Sequence, residues 1–195
     1  MSFIYILYRL LFLSKKMLAA GKWGKRPAAS KKVYVMKDLS TEEKIAHALE
    51  HIPFAKELGI RPMLMGDELT LILPYAPHII GNPMLQALHG GAVGAFLETT
   101  AIVQLWLLAQ AAPEPQPLPK TIGISLDYLR RGHPKDTFAR AEIGKQGSRV
   151  SNVRARAWQD KYDEPISVLH GHFLLPSPKK TDVKPAGETS KSDPK

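Results

Sequence analysis

The sequence predicts an α+β fold in which a long antiparallel β-sheet wraps around one central hydrophobic α-helix. Three observations carry that expectation. A single stretch, His89 to Ala109, is apolar nearly all round, as a helix at the centre of a domain is. Four strand-like segments follow it, at about Thr121–Leu129, Thr137–Lys145, Arg149–Gln159 and Ile166–Leu175. Strands and helices do not alternate, which argues against a doubly wound nucleotide-binding sheet.

Taken in order, the chain begins with a basic extension. Residues 1–35 carry eight basic side chains and no acid. Phe3 to Leu13 is apolar except at Arg9, but a helix needs about 20 such residues to span a bilayer. The basic residues follow this run instead of preceding it, unlike a secretory signal. Two readings stand. One is a helix resting on anionic lipid, which gives peripheral membrane contact through residues 1–20. The other is a non-native upstream extension, with translation starting at Met17 or Met36. Residues 36–175 are expected to form the folded domain. Residues 176–195, rich in Pro, Lys and Ser, are expected to be a disordered tail.

Within the domain, Ser40-Thr-Glu-Glu43 is a capping box that starts a short helix running to about His51. Pro53 opens a further helical turn, which Gly59 ends. Ile60–Met65 and Glu68–Leu73 make a hairpin around Gly66-Asp67. Pro74–Pro83 reads as a loop. The long helix follows and stops at the Pro-rich run Ala112–Pro119. Among the later strands, Gly147-Ser148 makes a hairpin turn. Asp160–Pro165 is a second connection.

Charge narrows the function classes. The chain has 195 residues and a formal charge of +9. The excess lies at the two ends, and residues 36–175 are left at −1. A near-neutral domain lacks the basic face that nucleic-acid binding uses, so no nucleic-acid partner is expected. The absence of Cys removes disulfides, thiolate nucleophiles, Cys-ligated zinc and iron–sulfur clusters. No metal and no cofactor is called for. The expected location is cytoplasmic, with membrane association under the first reading of the N-terminus.

Most of the chemistry lies between Gly81 and Glu98. His89-Gly90-Gly91 opens the long helix. Glycines there expose backbone N–H groups, and the helix dipole favours negative charge at that end. Such amides can hold an oxyanion. Glu98 is a carboxylate in an otherwise apolar helix, costly to bury unless paired or neutralised. Gly91, Gly94 and Glu98 share a stripe on the helical wheel, and the glycines leave room on it for a ligand or for close packing. Structural readings stand beside the functional ones: His89 as a cap, Glu98 as a structural acid.

These residues resemble the PaaI-like acyl-CoA thioesterases of the hotdog superfamily. The resemblance covers roughly Ile52 to Leu175, through Tyr75-Ala-Pro-His-Ile-Ile-Gly-Asn-Pro83, the His-Gly-Gly helix with its acid nine residues on, and Leu126-Asp-Tyr-Leu-Arg130. It implies a hotdog fold and hydrolysis of an acyl-CoA thioester to free acid and CoA. By position, Glu98 matches the family's general base or nucleophile, and the Gly90 amide matches the donor to the thioester carbonyl. Asn82 resembles the loop Asn that helps bind that carbonyl or the water. It departs from the pattern by lying seven residues before His89, with Pro83 at the six-back position. His89, Gly91 and Thr121 are placed among the substrate-binding residues. Arg130, Arg131 and Arg149 are placed there as candidates to meet the CoA phosphates.

Length arithmetic adds an expectation of its own. Gly90 and Glu98 lie about 12 Å apart along a helix axis, and catalysis needs contacts of about 3 Å. The acid must then come from a second subunit, in a homodimer or homotetramer.

Other classes fit less well. A serine hydrolase needs a nucleophile elbow, and Gly123-Ile-Ser-Leu-Asp127 lacks the final Gly. His170-Gly-His172 offers a metal only two ligands. A hotdog dehydratase would need a His–acid hydratase motif, which is absent. The non-enzymatic rival is an acyl-CoA-binding hotdog protein.

Overall fold

The computed structural model describes residues 39–65, 68–110 and 117–176. The N-terminal extension, the Gly66-Asp67 turn, most of the Pro-rich run and the tail beyond Pro176 lie outside the described residues.

The capping box forms as expected. Ser40 Oγ accepts from the Glu43 amide at 3.2 Å, and the Ser40 amide donates to Glu43 Oε2 at 2.8 Å. These bonds satisfy two of the amides left open at a helix start. Helix α1 (Thr41–Glu50) runs from there to its C-cap at His51. A short α2 (Pro53–Glu57) follows, and Gly59 leaves it with a φ of 66°, a backbone state that glycine adopts at little cost. Strands β1 (Arg61–Met65) and β2 (Glu68–Leu73) pair antiparallel, with Arg61 opposite Ile72.

The stretch expected to be loop holds more structure than its sequence showed. After a 3-10 turn at Pro77–Ile79, strand β3 (Ile80–Asn82) pairs with β4 (Ala87–Leu88) through an irregular register. This small ribbon delivers the chain to α3 (Gly90–Ala109).

Strands β5 (Lys120–Tyr128), β6 (Thr137–Gln146), β7 (Val150–Trp158) and β8 (Ser167–Leu174) complete a six-stranded sheet in the order β1-β2-β6-β7-β8-β5. All of its pairings are antiparallel. Alternation along β7 and β8 puts Val153, Ala155, Ala157, Leu169 and Phe173 on the inner face, all buried. Helix α3 packs on that face against β2, β5, β6, β7 and β8. By length and composition α3 could cross a bilayer. Here it is the core helix, with Phe96, Leu97, Ala101, Val103 and Leu105 buried in the hydrophobic core. A side chain such as Phe96 contributes roughly 2–3 kcal/mol on burial. The expected long antiparallel sheet around a central hydrophobic helix is thus the observed hotdog-type α+β architecture.

The outer face of the sheet is closed at one end by a separate cluster. Tyr162 folds over β6 and β7, with the Arg156 guanidinium 4.8 Å from its ring centre and its hydroxyl donating to Glu142 at 2.9 Å. Arg140 pairs with Glu68 and donates to Thr70 Oγ1. Strands β1 and β5 form the two edges of the sheet.

Candidate active site

The first turn of α3 is organised by its own cap. His89 is the N-cap residue, and its Nδ1 accepts from the Gly91 amide at 3.0 Å. That role leaves Nδ1 unprotonated and the ring proton on Nε2. The Gly91 amide is therefore occupied. The Gly90 amide has no acceptor among the described residues. Of the amides at this positive helix end, Gly90's is open to an incoming oxygen.

The room expected along the glycine stripe is filled. A Cβ on Gly91 would stand 3.0 Å from the His89 ring. One on Gly94 would stand 2.7 Å from Leu126 Cδ1. One on Gly90 would stand 3.2 Å from Tyr128 Cζ and its hydroxyl. Gly90 and Gly94 pack closely against β5 and Gly91 lies against the His89 ring, so the stripe does not form a ligand channel within the chain.

This packing sets the register of helix against strand. Gly90 lies beside Tyr128 and Gly94 beside Leu126. Four more helical residues advance about 6 Å, and two strand residues advance about 6.6 Å. Glu98 therefore stands level with Ile124. It is half-buried, and among the described residues its carboxylate has no hydrogen bond or ion pair. A structural ion pair, the alternative reading of this acid, is not what holds it.

Asn82 ends β3, where it stands opposite Ala87 of the strand that leads into the helix. Its Oδ1 accepts from the amides of Met84 and Leu85, each at 3.0 Å. That turn is further fixed by Gln86, whose φ is 49° and whose Nε2 donates to Pro83 O at 2.6 Å. The side-chain oxygen of Asn82 is thus committed to the turn, and its Nδ2 is the group left to donate. The register of β3 against β4 shifts between Ile80 and Asn82. The His89 amide donates to Ile79 O at 2.8 Å, which ties the ribbon to the helix.

The arginines divide between the ends of the sheet. Arg130 Nη1 donates to Pro165 O at 2.9 Å, and Arg131 Nη1 to Leu85 O at 3.0 Å. Both lie at the Tyr128 end of β5, beside the helix start, and both stitch loops together. Arg149 precedes β7 at the opposite end, where Val150 faces Leu174 and Leu174 faces Lys120. The length of β5 separates it from Gly90 by roughly 26 Å within one chain. Thr121 sits at a bulge in β5, and its Oγ1 is buried without a hydrogen-bond partner. His172 Nδ1 lies 2.7 Å from Asn152 Oδ1 on the outer face, away from the helix.

Two features escaped the sequence reading. Tyr128 donates its hydroxyl to Gly90 O at 2.8 Å, and Gly81 packs on the backbone of His89. The signal for the first lay in the alternation of β5, which puts Ile124, Leu126 and Tyr128 on one face. The second had no local signal.

Sheet, central helix and the glycine-led helix start together define a hotdog domain with a carboxylate on its core helix. The family model of the thioesterase superfamily matches residues 85–166. A solved protein of Chromobacterium violaceum is 36% identical, with a TM-score of 0.54, over 68% of this chain and 90% of its own. One from Pseudomonas aeruginosa is 28% identical, with a TM-score of 0.59, over 69% and 98%. The Escherichia coli PaaI protein from the phenylacetic acid degradation operon is 16% identical, with a TM-score of 0.56, over 71% and 97%, and shares the fold. No curated protein matches. The chain belongs to the thioesterase superfamily.

Proposed function

We propose that the protein hydrolyses an acyl-CoA thioester to the free acid and CoA, in a homodimer whose two sites each combine Gly90 of one copy with Glu98 of the other. The observation that carries this reading is Glu98 itself, a half-buried carboxylate on an apolar helix with no described partner. Its separation from the open Gly90 amide exceeds what one chain can bridge. Strand β5 supports the second copy: it is an edge strand, and Ile124 and Tyr128 on its inner face are 41% and 55% exposed.

In the reaction, the thioester carbonyl oxygen accepts from the Gly90 amide and from Asn82 Nδ2. Glu98 takes a proton from water as it attacks the carbonyl carbon, and the oxyanion stays on those donors. Collapse of the tetrahedral species breaks the C–S bond, and the CoA thiolate takes up the proton. In the covalent variant Glu98 attacks directly, and water resolves the mixed anhydride. Arg130 and Arg131, at the helix-start end, are the candidates for the CoA phosphates.

The test is a thiol-release assay over short, medium, long and aromatic acyl-CoAs, with wild type and Glu98→Gln. Turnover of at least one substrate that the variant abolishes supports the reading. Binding without turnover of any of them would return the chain to an acyl-CoA-binding role.

A further inference from the structure

The peptide unit joining Gly90 to Gly91 is gripped at both ends by side chains. Its carbonyl oxygen accepts from the Tyr128 hydroxyl at 2.8 Å. Its N–H donates to His89 Nδ1 at 3.0 Å. Two successive glycines form the least constrained backbone a helix start can have, and an oxyanion donor is effective only when its direction is fixed before the charge develops. The donor N–H of Gly90 belongs to the preceding His89–Gly90 peptide, whose carbonyl accepts from the Ala92 and Val93 amides, and the grip holds Gly90 Cα, the atom that the two peptide units share.

We propose that Tyr128 is a positioning residue: its hydroxyl on Gly90 O and its ring against Gly90 Cα hold Gly90 in place at the helix tip and so steady the Gly90 amide, which lies in the adjoining His89–Gly90 peptide. The inference rests on the thioesterase reading above and deepens it. A carbonyl has two lone pairs. The helical pattern gives Gly90 O one partner, the amide four residues on, and Tyr128 takes the other. The bond spans 38 residues of sequence. It therefore ties the helix start to the edge strand and not to its own turn. The ring adds a second restraint by lying on the bare Cα of Gly90, where a Cβ would meet it at 3.2 Å. Loss of the hydroxyl removes its hold on Gly90 O while leaving the ring in place.

Tyr128→Phe is the experiment. With an acyl-CoA substrate, kcat is expected to fall about tenfold, with KM changed by less than about twofold, since the loss is confined to the transition state. In the 15N-labelled protein the Gly90 and Gly91 amide resonances are expected to shift. A kcat within twofold of wild type overturns the proposal, and so does a rise in KM at constant kcat, which would make Tyr128 a substrate contact. Should the wild type hydrolyse no acyl-CoA, the thioesterase reading fails separately. The resonances then decide, and unmoved Gly90 and Gly91 signals overturn the gripping role.

Discussion

Gly81 lies against the backbone of His89: a Cβ on Gly81 would stand 2.6 Å from His89 Cα and 3.0 Å from His89 Cβ. The ribbon carrying Asn82 and the helix start carrying Gly90 are thereby locked to each other. No flexible side-chain tip is available to yield there, because the obstructing atom is backbone. Gly81→Ala should cost about 2 kcal/mol by overpacking. It should also lower kcat more than stability alone explains, since Asn82 moves relative to Gly90. Chemical denaturation and initial rates on the same preparation check both parts.

Glu98→Gln separates catalysis from stability. The amide keeps the shape and removes the charge, and a neutral group is cheaper to hold half-buried than a carboxylate. Stability should stay level or rise by up to about 1 kcal/mol, while kcat falls by a factor of about 100 or more. A large loss of stability would show that the acid is structural.

The uneven legibility of this chain has a physical cause. The capping box at Ser40–Glu43, the core helix and the four later strands were readable because each rests on contacts within a few residues or on a regular alternation. The β3–β4 ribbon was not, since strands of three and two residues with a bulge leave no period to detect. At the site, the His-Gly-Gly start and Glu98 were legible as chemistry. What fills the glycine stripe was not, because Leu126 and Tyr128 come from a strand more than thirty residues on. From sequence Arg130 and Arg131 read as candidates for the CoA phosphates or as ordinary solvated charges, and their bonds to Pro165 O and Leu85 O come from loops distant in sequence that no local pattern announces.

Thr121 gives a different kind of test. Its buried Oγ1 has no hydrogen-bond partner, and an unpaired buried hydroxyl costs about 1–3 kcal/mol. Thr121→Val should therefore raise stability by about 1 kcal/mol. If the hydroxyl serves the attacking water, kcat should fall at the same time. Thermal unfolding with matched kinetics reads the pair, and a gain in stability at unchanged kcat would assign Thr121 to the fold alone.

The outer-face cluster predicts an alkaline limb. Burial holds the Tyr162 phenol above its usual range, and its hydrogen bond to Glu142 acts in the same direction. The folded state then keeps this proton to higher pH than the unfolded chain does. The contribution is complete below the ordinary phenol value of about 10, and it is lost as pH rises through the folded value. Tyr162→Phe should make the fall in stability above about pH 10 shallower, as read by denaturant midpoints across the range.

The shared site can be tested by complementation because Gly90 admits an unusually selective substitution. Gly90 is the first residue of α3, the position where proline is best tolerated in a helix. His89 before it has φ −68° and ψ 122°, the extended state that precedes proline. Gly90→Pro therefore removes the backbone N–H assigned to the oxyanion, and the Tyr128 ring must give where the new Cβ meets it. Alone, Gly90→Pro and Glu98→Gln should each be nearly inactive. In a heterodimer of the two, one site pairs an intact Gly90 with an intact Glu98, and the other site carries both lesions. Unfolding and refolding an equimolar mixture should restore about a quarter of wild-type activity, the share expected when half the two-fold dimers are mixed and each has one working site. A mixture no more active than its parts would place both residues of each site in a single chain.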